Sequence, residues 1–107
     1  MALFTNFEVK TFNSASLTVA YQVFGTPLTY PCYECVICNE SNVPILISID
    51  GINPIIRIGE GKTHTFKGMT RHETLDKAVF LFSEKTQLYI SGTTGAGIIT
   101  CNILMAR

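Results

Sequence analysis

No stretch of this chain carries a helical period. Short β-branched or aromatic runs follow one another closely instead, at residues 7–12, 17–24, 33–38, 45–49, 55–58, 78–82, 88–90 and 98–105, separated by Asn, Gly, Pro and Ser. Extended segments of this length between turn residues build antiparallel sheets, since Gly, Asn and Pro supply the backbone geometry of reversal. The pattern predicts an all-β protein, a single antiparallel β-sandwich of eight or nine strands, with a jelly roll among the arrangements that fit and a closed barrel second. Parallel βαβ spacings are absent, which excludes a nucleotide-binding α/β fold. Residues 1–5 read as an N-terminal arm and residues 6–107 as the one sandwich domain.

With 107 residues the chain can bury roughly 60–70% of its unfolded surface, enough to fold without a metal or a disulfide. It is 47% hydrophobic but only 15% charged, and its 8 acidic and 8 basic residues cancel. Average soluble domains carry about 25% charged residues and keep apart by net charge. A neutral, charge-poor, apolar chain points to a life packed against other proteins. Its basic residues are scattered among acidic ones, so no phosphate-binding face is expected and nucleic acid is not a predicted partner. Membrane insertion is not predicted either, because no continuous apolar run approaches the ~20 residues needed to span. The first residues lack the basic and apolar regions of a secretory signal, so folding in a reducing cytoplasm is expected.

Several segments invite a chemical reading. Cys32, Cys35 and Cys38 have metal-knuckle spacing, but a strand through residues 32–38 puts Cys32 and Cys38 on one face about 20 Å apart and Cys35 on the other. Buried packing is the stronger expectation, and no cofactor or metal is predicted. A Cys35–Cys101 or Cys38–Cys101 disulfide is geometrically open between neighbouring strands, though disfavoured in a reducing compartment. Gly59-Glu60-Gly61-Lys62-Thr63 ends like a phosphate-binding loop, yet Ile56 stands where the earlier glycine belongs and no helix follows. The segment from Gly92 to Gly97 opens into a strand in the same way and reads as a flexible hairpin tip. His64 and His72 are the only candidate bases and Asp50 and Asp76 the only aspartates, so no hydrolytic set is expected and the protein is predicted not to be an enzyme. Asp50 belongs to an Asp-Gly reversal, the clearest hairpin signal in the chain. Asn39-Glu40-Ser41 matches a glycosylation triplet but reads as a turn.

What remains is surface. Phe4, Phe12, Tyr21, Phe24, Tyr30 and Tyr33 exceed what a core of this size needs, and aromatic side chains anchor interfaces. Phe4, Tyr21, Phe24, Pro27, Tyr30 and Tyr33 are therefore the candidate interface residues, with the arm and the segment from Gly25 to Pro31 draped over a neighbour. A small ligand- or carbohydrate-binding module is the alternative, weakened by the lack of Trp.

Residues 21–28 (YQVFGTPL), 39–45 (NESNVPI), 47–51 (ISIDG) and 86–90 (TQLYI), with the final strand, resemble small all-β virion proteins of tailed bacteriophages, over about two-thirds of the chain. The resemblance implies a non-enzymatic virion component, a capsid decoration or cement protein or a head–tail connector or tail component. It further implies many copies per particle, contacts with major capsid, connector or tail proteins, and location in the virion after synthesis in the host bacterial cytoplasm. It assigns no functional residue.

Overall fold

The computed structural model describes residues 5–67 and 82–106. The described residues form eight strands: β1 (Thr5–Asn13), β2 (Gln22–Val23), β3 (Cys32–Ser41), β4 (Ile45–Ser48), β5 (Pro54–Ile58), β6 (Thr63–Lys67), β7 (Tyr89–Gly92) and β8 (Gly97–Ala106). They form two four-stranded sheets, one ordered β1-β8-β3-β6 and the other β2-β7-β4-β5, antiparallel throughout. The protein is the all-β sandwich expected. Among the described strands only β4 and β5 are sequence neighbours within one sheet; every other successive pair is divided between the two sheets. Residues 1–4, most of the expected arm, and residues 68–77, the polar segment without strand character, lie outside the described residues.

Strict alternation writes the core. In β8, Ile99, Cys101, Ile103 and Met105 are buried, whereas Ile98 is 44% exposed. Cys35 and Ile37 of β3 face them, and Ile45, Ile47, Ile58 and Ile90 come from the opposite sheet. Leu17, Phe24, Leu28 and Leu88 join from loops and strand ends. Burying each of these larger side chains is worth about 1.5–3 kcal/mol.

β1 buries its charged face. Lys10 is only 5% exposed and Val9 51%, so Glu8, Lys10 and Phe12 point inward and the aliphatic residue outward. The Lys10 ammonium pairs with the Glu8 carboxylate and donates to the Thr26 carbonyl at 2.7 Å. β1 is an edge strand, and inward-pointing charge discourages such an edge from pairing with a stranger.

Local chemistry overrides alternation at the expected strand over residues 17–24, which shrinks to Gln22–Val23. Asn13 Oδ1 accepts from the Ala15 N–H and caps a 3-10 turn at Ser14–Ser16. The Thr18 N–H then donates to Gln22 Oε1, and Thr18 Oγ1 to the Ala20 carbonyl. These short-range bonds hold the backbone off the ladder. Leu17 and Val19, expected on one face, are 2% and 85% exposed.

Asn39-Glu40-Ser41 is the second departure. It continues β3 against β8 to Ser41↔Gly97 instead of turning. The expected strand over residues 78–83 is described only at its end, where Phe82 makes an isolated bridge with Cys32; residues 78–81 lie outside the described residues. The segment from Gly92 to Gly97 is no hairpin tip, since β7 and β8 belong to different sheets. It is pinned by Gly95 N–H to Ser14 O, Ala96 N–H to Asn42 Oδ1 and Thr94 Oγ1 to Leu17 O. A side chain at Gly97 (φ +132°) would place its Cβ 2.4 Å from the Glu40 carbonyl oxygen, so the crossover needs glycine there.

The β4–β5 hairpin forms as expected. Asp50 Oδ1 accepts from the N–H groups of Asn53 and Ile52 and from the Ser48 hydroxyl, each at 2.8 Å. Those donors hold the Asp50 carboxyl far below the usual aspartate range. A depressed folded-state value contributes stability above the unfolded-chain value of about 3.9 and loses it as pH falls through the lower folded value. Asp50→Asn should therefore melt below the wild type at neutral pH. The deficit should shrink steadily in melts taken from about pH 5 down to about pH 1.

Candidate functional site

The thiols occupy positions that strand parity alone does not predict. The β3–β8 register shifts between Cys32 and Glu34, a bulge at Tyr33 that reverses the alternation. Cys32 and Cys38 consequently do not share a face. Cys32 and Cys35 both turn inward, at 1% and 0% exposure, and Cys38 is half-buried on the outer face. The Cys35 and Cys101 sulfurs lie 3.1 Å apart, and all four cysteines are free thiols. The thiol–thiol contact with Cys101, followed by burial, pushes the Cys35 thiol well above the ordinary range. Burial above all, with Cys35 nearby, pushes Cys32 up to about 12. Its Sγ–H donates to the Glu34 carbonyl. Such thiols are poor nucleophiles and poor metal ligands in their protonated form. Among the described residues, no three His, Cys, Asp or Glu side chains are placed to hold a metal ion. His64 packs edge-on against Phe66, with ring centroids 4.4 Å apart, and His72 lies outside the described residues.

The exterior differs between the sheets. On the first sheet, Thr11, Thr100, Cys38 and Thr63 stand in register across all four strands, a row of small polar groups. The second sheet presents Val23, Tyr89, Leu46, Ile55 and Arg57 outward, opposite in parity to its buried isoleucines. Beside Leu46 and Arg57 lies a groove of about 320 Å³, walled by Val19, Pro44, Ser91 and Thr93. Val19 stands 85% exposed at its rim, and the β4–β5 loop adds Ile52 at 76%.

The six candidate interface residues do not converge. Phe24 is fully buried and is a core residue: its ring meets Phe12 edge-on at 6.0 Å and its N–H donates to Leu88 O. Tyr21 and Tyr30 are half-buried, and the Tyr21 hydroxyl is enclosed with no hydrogen-bond partner among the described residues. Pro27 is exposed. Phe4 and the side chain of Tyr33 lie outside the described residues. Aliphatic residues carry the apolar surface instead, and Val19 in a run read as strand was the available signal.

Two stacked antiparallel sheets with this exterior define a β-sandwich. No protein-family model and no curated protein matches the sequence. Among solved structures, the fold is similar to one from work entitled "Bacillus endospore appendages form a novel family of disulfide-linked pili". That likeness has a TM-score of 0.53 at 12% identity and covers 97% of this chain and 88% of that one. Among the described residues no helix is long and apolar enough to cross a membrane.

Proposed function

We propose that this protein is a non-enzymatic structural subunit, present in many copies, that works by packing its exterior against further copies of itself and against other proteins. The observation that carries this reading is the exposed aliphatic surface on the second sheet and the loops beside it, in a chain with so little charge. Val19, Val23, Ile49, Ile52 and Ile55 are all more than a third exposed. Surfaces of this kind usually mark association. The strand order fits an eight-stranded jelly roll, an architecture recurrent in assembled shells.

Within this class, the resemblance of residues 21–28, 39–45, 47–51 and 86–90 supports a component of a tailed-phage particle, in a capsid-decorating, connector or tail position. The fold likeness to a protein of disulfide-linked endospore pili supports the broader class. A covalent link between copies would run through Cys38, because the other three sulfurs are buried. Sugar binding is less favoured, since no aromatic ring among the described residues walls the groove.

Light scattering after size exclusion, with electron microscopy of the concentrated protein, tests the proposal. Association that weakens on Val19→Asp, with a melting temperature within about 3 °C of wild type, is the expected result. A protein that stays monomeric at high concentration and joins no particle would sink it.

A further inference from the structure

We infer that Cys35 and Cys101 form an intrachain disulfide that staples β3 to β8 inside the sandwich when the chain folds in the presence of a small disulfide oxidant. This inference is independent of the assembly role. Both sulfurs are fully buried on the inner face of one sheet and stand 3.1 Å apart, so a modest further approach makes the bond. Cys35 is opposite Ile103 and Ile37 opposite Cys101, which makes the pair a diagonal one. The right-handed twist of a sheet shortens one of its diagonals. The competing thiols are occupied or averted: Cys32 donates to the Glu34 carbonyl, and Cys38 lies on the outer face.

Surroundings set when the bond can form. The Lys10 ammonium stands on β1 opposite Cys101 and favours thiolate at Cys35, but the closed interior holds that thiol protonated and shields it. Exchange therefore belongs to the open chain. The Cys35 thiolate attacks one sulfur of the small disulfide, releasing one thiol and leaving a mixed disulfide. Cys101 then attacks the Cys35 sulfur and releases the second thiol. The two protons lost by the cysteines end on the two released thiols, and the oxidant is reduced as the protein is oxidised. Closing the sandwich afterwards seals the bond from reductant.

The test uses the whole chain, unfolded, refolded with oxidised glutathione, then alkylated, digested and analysed by mass spectrometry. The expected product is a Cys35–Cys101 linked peptide, with Cys32 and Cys38 alkylated. The bond joins cysteines 66 positions apart in the sequence. The oxidised protein should accordingly melt about 10 °C or more above the reduced one. It should also keep its bond when a mild thiol is added to the folded state. Cys35→Ser and Cys101→Ala should each abolish the difference, and Cys38→Ala should retain it. Full alkylation of Cys35 and Cys101 in the refolded wild type, a bond from either of them to Cys32 or Cys38, or a lower melting temperature on oxidation would each overturn the inference. The wild-type peptide map decides the matter even if a variant fails to fold.

Discussion

Phe24→Ala is expected to lower the free energy of unfolding by about 3–5 kcal/mol. Phe24 has no exposed surface, lies edge-on to Phe12 and sits beside the Leu88 end of β7. Truncation removes the ring's transfer energy and leaves a void between two sheets that cannot close independently. Domains of this size are stable by only about 5–15 kcal/mol in total. A urea titration should show an earlier midpoint with an unchanged slope. An anchor reserved for a partner would behave differently, leaving the isolated protein's midpoint where it was.

Asn39→Ala should cost about 3–4 kcal/mol, although it deletes only a small polar group. The Asn39 side chain is 1% exposed. Its Nδ2 donates to the carbonyls of Val43 at 2.8 Å, Gly59 at 3.1 Å and Ile58 at 3.2 Å. Its Oδ1 accepts from the Ser41 N–H at 3.1 Å and the Ser41 hydroxyl at 2.6 Å. One residue of the first sheet thereby ties down the end of β5 in the second. Alanine leaves several of these groups buried and unpaired, and a buried polar group without a partner costs about 1–3 kcal/mol. Chemical denaturation measures the loss. Hydrogen exchange should show the amides of β4 and β5 losing more protection than those of β1 and β8.

These two residues also show where the chain's pattern could be read and where it could not. Period-two alternation marks β8 plainly, because each inward Ile99, Cys101 and Ile103 is followed by an outward Thr100, Asn102 and Leu104. The Asp50-Gly51 reversal is equally plain, since its bonds lie within five residues. Asn39 and Ser41 look like turn residues because the carbonyls that satisfy Asn39 belong partly to residues 58 and 59, which local pattern does not reveal. The bulge at Tyr33 changes no composition, yet it moves Cys32 to the inside and gathers the thiols. Residues 17–20 alternate like a strand but find backbone partners in Ser14, Thr18, Gln22, Gly92 and Thr94. The apolar exterior was legible as excess hydrophobicity. Its location was not, because aromatic residues attract interface arguments while this fold sends Phe24 inward and Val19 outward.

The pairing of β1 with β8 carries a consequence for how the molecule is made. Asn13 faces Ile98 and Thr5 faces Ala106, so β1 must wait for the synthesis of β8 before it gains its only described neighbour. At about 5–20 residues per second that delay is on the order of 10 s. Throughout it the nascent polypeptide offers an unpaired edge to chaperones and to sibling chains. Lys10, buried in the fold, and half-buried Glu8 are hydrated in that interval, making the waiting segment soluble when it is most vulnerable. The same two groups pair with each other inside the sandwich once β8 has joined β1.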